Sequence, residues 1–289
     1  MQMEDNETGE PRGMNLVEEA VEADAPRRRG IAPWWHTVLL LAGMTALTLQ
    51  EPARLLARHL PATLMGSYGV AAVGEALMLL WVLFGLKLYG QPLRAITGNI
   101  SFRPGAILQD LGVAMLAWLC IMTVLGTLSI SWLAAEKVCE MRHQPAEAHQ
   151  MPAPSRDPLA GLHDKTEKAV AALAPSTGRE MVCWLLLCIL VGIAEELVFR
   201  GYLVAQFIEW FACWPRMSVA LGVALAAVIF GAAHLYQGAR GIFLITIFGA
   251  LLSMLAFMRR NLRAGIMVHI WQDMIAGIGL ALLKSQHYL

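Results

Sequence analysis

Charge is scarce in this sequence. Only 15% of its 289 residues are Asp, Glu, Lys or Arg and the formal net charge is +0, so no global basic field exists to draw in nucleic acid or an acidic partner. Cysteine is also thin. The five thiols comprise Cys120, Cys183 and Cys188 within apolar runs, Cys139 in a polar segment and Cys213 near a helix end. That set makes neither a disulfide framework nor a paired-thiolate zinc site. The first thirty residues are acidic and polar, with no small-residue cleavage pattern and no apolar run until after Arg29. They read as a disordered cytoplasmic tail rather than a signal peptide. Internal repeats of the kind that mark two-halved transporters are missing too. Apolar side chains, in contrast, are abundant: 57% of residues are hydrophobic and the mean hydropathy is +0.54, which argues for a membrane as the main solvent.

A helix satisfies its own backbone in hydrocarbon, and spanning about 30 Å takes roughly 20 apolar residues. By that measure the chain is an all-α, polytopic transmembrane bundle of about seven spans. They fall near residues 34–50, 69–89, 106–133, 181–209, 217–237, 241–258 and 262–283. The division is a tail over 1–33, three spans over 34–133, a proline-bearing polar loop over 134–180, and a core over 181–289. Arg and Lys in short loops mark the cytoplasmic side. Arg27, Arg28 and Arg29 precede Trp34 and Trp35, and six crossings later Arg259, Arg260 and Arg263 return to the same side. Lys87, Arg94 and Arg103 agree with this scheme, whereas Arg54 and Arg58 oppose it. The loop over 134–180 then lies outside.

Ionisable side chains inside a span are expensive, so each is a functional hypothesis. The run VCWLLLCILVGIAEELVFRGYL holds Glu195, Glu196 and Arg200. On an α-helix Glu196 and Arg200 share a face and can neutralise each other, while Glu195, about 140° round from Arg200, is left to face something else. Phe230 and His234 are four apart in the fifth span, and His269 and Asp273 are four apart in the seventh. One acid and two imidazoles on three helices can converge on one water. A carboxylate in an apolar site can serve as general base. The imidazoles can bind a metal or donate to an oxyanion, and Asp273 can fix the tautomer of His269 or hold the water. Each pair alone also has a bland reading: a structural salt bridge, an interfacial histidine, a helix tie. Joint occurrence favours chemistry. Asp110 reads as interfacial and Glu75 as a packing or cavity residue, neither with such company. One tension follows from the spans: His234 falls near the outer end of the fifth and His269 near the inner end of the seventh.

These residues resemble a known family. EELVFR is similar to its EExxxR motif, FGAAH to FxxxH, and HIWQD to HxxxN/D, in the order and spacing of the CAAX protease and bacteriocin-processing (CPBP) intramembrane proteases, type II CAAX endopeptidases included. The resemblance covers about residues 181–283. The last motif ends in Asp273, where CAAX-cleaving members typically have Asn. The resemblance implies a helical bundle with a water-filled cavity and hydrolysis without a covalent intermediate. By it, Glu195 and His234 activate water, His269 and Asp273 form the oxyanion pocket, and Glu196 and Arg200 support the first helix, with Phe230 beside His234. Zinc, with His234 and His269 as ligands, suits the donor set; the same set also works without metal. The implied partner is a membrane-associated or lipid-modified protein or peptide in the bilayer, and the expected location is a bacterial plasma membrane. Two other classes compete. A non-catalytic binding or bacteriocin-immunity protein would keep the cluster structurally, and an ion-coupled transporter would use the acids but lacks the repeats.

Overall fold

The computed structural model describes residues 30–49, 63–143 and 173–286. The tail before Gly30, Arg54, Arg58 and most of the expected polar loop lie outside the described residues. The elements are α1 (Trp34–Leu49), α2 (Leu64–Leu88), the short α3 (Arg94–Thr97), α4 (Pro104–His143), α5 (Gly178–Glu195), a π-helical segment (Glu196–Leu203), α6 (Val204–Trp210), α7 (Ser218–Ala233), α8 (Gly238–Arg259) and α9 (Arg263–Ser285). Among the described residues, five continuous helical stretches are long and apolar enough to cross a membrane, and the 16-residue α1 and α7 are shorter apolar helices. The protein is an all-helical integral membrane bundle. Two expectations change in detail. α4 continues to His143, beyond the expected boundary at 133, and the fourth span is not one regular α-helix.

Local chemistry starts the key helix. Thr177 and Glu180 form a capping box: Glu180 N donates to Thr177 Oγ1 at 3.2 Å, and Thr177 N donates to Glu180 Oε2 at 2.9 Å. Two orphan amides are thereby satisfied, which sets where α5 begins and so the phase of Glu195. Close backbone approach then pins α5 to α9. A Cβ on Gly192 would lie 2.6 Å from Ile270 Cγ1, and one on Gly277 would lie 2.0 Å from Trp184 Nε1. Neither distance is possible without movement, so small residues let these helices meet closely.

The ends of the bundle sort into two sets. At one end Gly98 bridges Asn261, Leu262 N donates to Thr97 O at 3.1 Å, and Gln206 clasps Ile31 and Ala32 through their backbone. Asp110, 1% exposed, accepts from Arg259 and pairs with Arg263 at 2.8 Å at this end. It therefore has the company that its sequence position concealed. At the other end Tyr68 Oη donates to Leu173 O at 2.6 Å and Lys284 Nζ to Ala174 O at 3.3 Å. Residues 30, 98 and 261 thus share a side, as an even number of crossings between them requires. By the excess of Arg and Lys, that side is expected to be cytoplasmic. In a background lacking the five native cysteines, an impermeant maleimide should label Gln286→Cys in intact cells and miss Phe102→Cys; the reverse pattern would invert the topology.

A second buried network holds the π segment. His36, fully buried, accepts at Nδ1 from Tyr202 Oη at 2.8 Å and donates from Nε2 to Trp81 O at 2.8 Å. These directions follow because a carbonyl only accepts. The Thr37 hydroxyl meets Tyr202 Oη at 2.7 Å, Trp81 Nε1 donates to His36 O at 3.2 Å, and the His36 and Trp81 rings stack at 4.7 Å. Every polar atom in this set has a partner, so α1 and α2 brace Tyr202 at no desolvation penalty.

Candidate active site

Glu195 closes α5 and the π segment carries the rest of the EELVFR run from Glu196 on, with all eight of its residues buried. A π turn closes its hydrogen bonds one residue later than an α turn, and such turns gather at functional sites. Here the result is that two consecutive glutamates reach one ring. His269 Nδ1 lies 2.9 Å from Glu196 Oε1, and its Nε2 lies 3.5 Å from Glu195 Oε2 and 3.7 Å from Asp273 Oδ2. Carboxylates accept, so Nδ1 carries a proton toward Glu196. The ring's tautomer is set by Glu196, not by Asp273 as the spacing within α9 suggested.

Glu196 is wholly buried and has a second partner. Arg200 Nη1 approaches the same Oε1 at 2.9 Å, an ion pair at an angle too poor for a hydrogen bond, and the guanidinium stacks over Phe230 at 4.0 Å from the ring centroid. The expected Glu196–Arg200 pairing is therefore present. Phe230 is the hub of the site. Its ring centroid lies 4.8 Å from Phe199, 5.0 Å from His234 and 6.0 Å from His269. A Cβ at Gly249 would come within 3.0 Å of the same ring, and one at Gly265 within 3.2 Å of Glu196 Oε2.

His234 caps the end of α7 and donates from Nδ1 to Phe230 O at 2.9 Å, which leaves Nε2 with a lone pair. The depth mismatch narrows here. α7 has 16 residues and is about 24 Å long, short of the roughly 30 Å of hydrocarbon. Depth counted along a full span therefore misplaces His234, which borders the same phenyl ring as His269. The chain then turns back through a 3-10 turn, Leu235–Gln237, into α8. Non-helical backbone of this kind is tolerated at depth where protein or a cavity surrounds it.

Two neighbours of the site stood out less in the sequence. Tyr236 follows His234, with ring centroids 5.9 Å apart, and lies within electrostatic reach of Glu195 and Asp273. Its hydroxyl accepts from Gln237 Nε2 at 3.1 Å, so the phenol proton is left for another acceptor. A motif search anchored on charge passes over a tyrosine. Glu75, on α2, has Glu195, His269 and Asp273 within electrostatic reach.

A zinc set needs three or four ligand atoms about 2.0–2.3 Å from one point. Among the described residues, no three His, Cys, Asp or Glu side chains are placed to share a metal ion, so the arrangement does not fit such a set.

Glu195, Glu196 and His269, all buried, and the half-buried Asp273 form one Glu–His–Asp cluster on packed helices. Residues 177–275 match the family described as type II CAAX prenyl endopeptidase Rce1-like, which supports a likeness of this region to the CAAX protease and bacteriocin-processing family. No curated protein and no solved structure matches the chain.

Proposed function

We propose that the protein is an intramembrane endopeptidase that hydrolyses a peptide bond of a membrane-associated or lipid-modified substrate in a bacterial plasma membrane. The observation that supports this most is the His269 ring held between two adjacent glutamates, with Nδ1 on Glu196 and Nε2 facing Glu195 and Asp273. Glu195 takes a proton from water as the water attacks the scissile carbonyl. His234 offers its Nε2 lone pair to the second water proton. His269, in its doubly protonated form, donates from Nε2 to the oxyanion while Asp273 steadies that proton. The proton on Glu195 passes to the leaving amine, and the tetrahedral intermediate collapses to acid and amine. Glu196 and Arg200 position the ring and touch no reacting atom.

The test compares protein termini in membranes from cells carrying the wild type or Glu195→Gln. Termini present only with the wild type identify the substrate and junction. Identical sets would leave the binding or immunity reading standing. Metal dependence is a separate measurement: activity is expected to survive a chelator, with zinc well below one equivalent in the purified protein. Zinc at one equivalent together with chelator-sensitive activity would reverse that expectation.

A further inference from the structure

Glu75 is an acid to which the mechanism gives no task. It lies two turns after Tyr68 on the same face of α2. The Tyr68 ring packs on Trp184 of α5 at 5.5 Å, and Trp184 lies about three turns before Glu195, in the same helical phase. α2 and α5 pack side by side, and both start at the end where Tyr68 bonds Leu173. The two helices therefore run parallel and present Glu75 and Glu195 to each other. Trp184 also donates from Nε1 to Asp273 O at 3.3 Å, which brings α9 to the same place, with His269 one turn back along it. The charged groups within reach of Glu75 agree with this phase: Glu195, His269 and Asp273. Oε2 of Glu75 is buried with no hydrogen-bond partner among the described residues, and so is Oε2 of Glu195.

Several of the neighbouring donors are turned elsewhere. His269 Nδ1 and Arg200 face Glu196, Trp184 Nε1 serves Asp273 O, and His234 Nδ1 serves Phe230 O. A buried acceptor left without a donor is costly, so its donor is expected to arrive with the ligand. A peptide chain carries such donors along its backbone. We propose that Glu75 is a substrate-binding residue whose carboxylate accepts a hydrogen bond from a backbone N–H of the bound peptide. This rests on the peptidase reading and extends it to a helix outside the matched family domain. A hydrogen bond of this kind fixes the strand's register beside Glu195.

The test uses the full-length purified protein with a synthetic peptide spanning the junction found in the Glu195→Gln comparison. A companion series replaces one backbone amide at a time with an ester, which removes a single N–H. Glu75→Leu should lower kcat/KM for the all-amide peptide at least tenfold while leaving the thermal midpoint unchanged or higher, because the free carboxylate has no partner to lose. Glu75→Gln, which keeps an acceptor oxygen, should recover much of the rate. At one ester position the wild type should lose rate and Glu75→Leu should lose nothing further. Cleavage by Glu75→Leu within twofold of wild type, additive losses at every ester position, or a fall in thermal midpoint alongside the lost rate would each overturn the assignment. Failure of the peptidase reading is separately visible: there Glu195→Gln leaves every membrane-protein terminus unchanged, and the Glu75 assignment falls with it. Loss of cleavage in Glu195→Gln with full cleavage in Glu75→Leu overturns the Glu75 assignment alone.

Discussion

Glu195→Gln is expected to lower kcat/KM by about 10²- to 10⁴-fold, the usual contribution of a positioned general base, without lowering the amount of folded protein. The substitution keeps the side chain's shape and removes the carboxylate that would accept the proton. Glu195 is 8% exposed, and its Oε2 has only the 3.5 Å approach to His269 Nε2 and no hydrogen bond to lose. Folding should therefore be indifferent to the change while chemistry is not. Rates measured on the junction peptide, with thermal unfolding in the same detergent, separate the two. A variant that retains more than a tenth of wild-type kcat/KM would remove Glu195 from the role of base.

Arg200→Ala is expected to act in the opposite way, through stability first. It strands Glu196, which is 0% exposed, and empties the face of Phe230 over which the guanidinium sits. Removing one partner of a buried pair costs roughly 3–5 kcal/mol, because the remaining charge has neither water nor a counterion. Yield and thermal midpoint should both fall, and activity should fall with them as Glu196 loses its hold on His269. The double variant Glu196→Gln with Arg200→Met should recover part of that stability. The amide oxygen still accepts from His269 Nδ1, and neither member of the pair leaves the other as an unpaired charge. Wild-type stability in Arg200→Ala together with lost activity would instead place the guanidinium in the chemistry.

These expectations draw on the sequence to different depths. The hydrophobic segments, their approximate ends and the two basic clusters were legible directly, because hydropathy is a sum over neighbours in the chain and a helix needs no other segment to satisfy its backbone in lipid. The Glu196–Arg200 pairing was legible for the same reason: it spans one turn of one helix. The three motifs marked the region that the family match covers. Asp110 was not legible in this way, since its arginines lie about 150 residues further along the chain. Nor was Glu75, whose relation to Glu195 depends on two helices running parallel in matching phase.

What the sequence alone determined, then, is the solvent, the rough placement of the apolar segments and the identity of the ionisable groups inside them, all properties set within a few turns of chain. The tertiary structure alone decided which atoms meet. A π turn lets Glu195 and Glu196 face the two nitrogens of His269, Phe230 of α7 meets the His269 ring at 6.0 Å, and glycine contacts at Gly192 and Gly277 draw α5 onto α9. Each is a contact between helices, and its geometry depends on packing distances and rotations to which local hydropathy is blind.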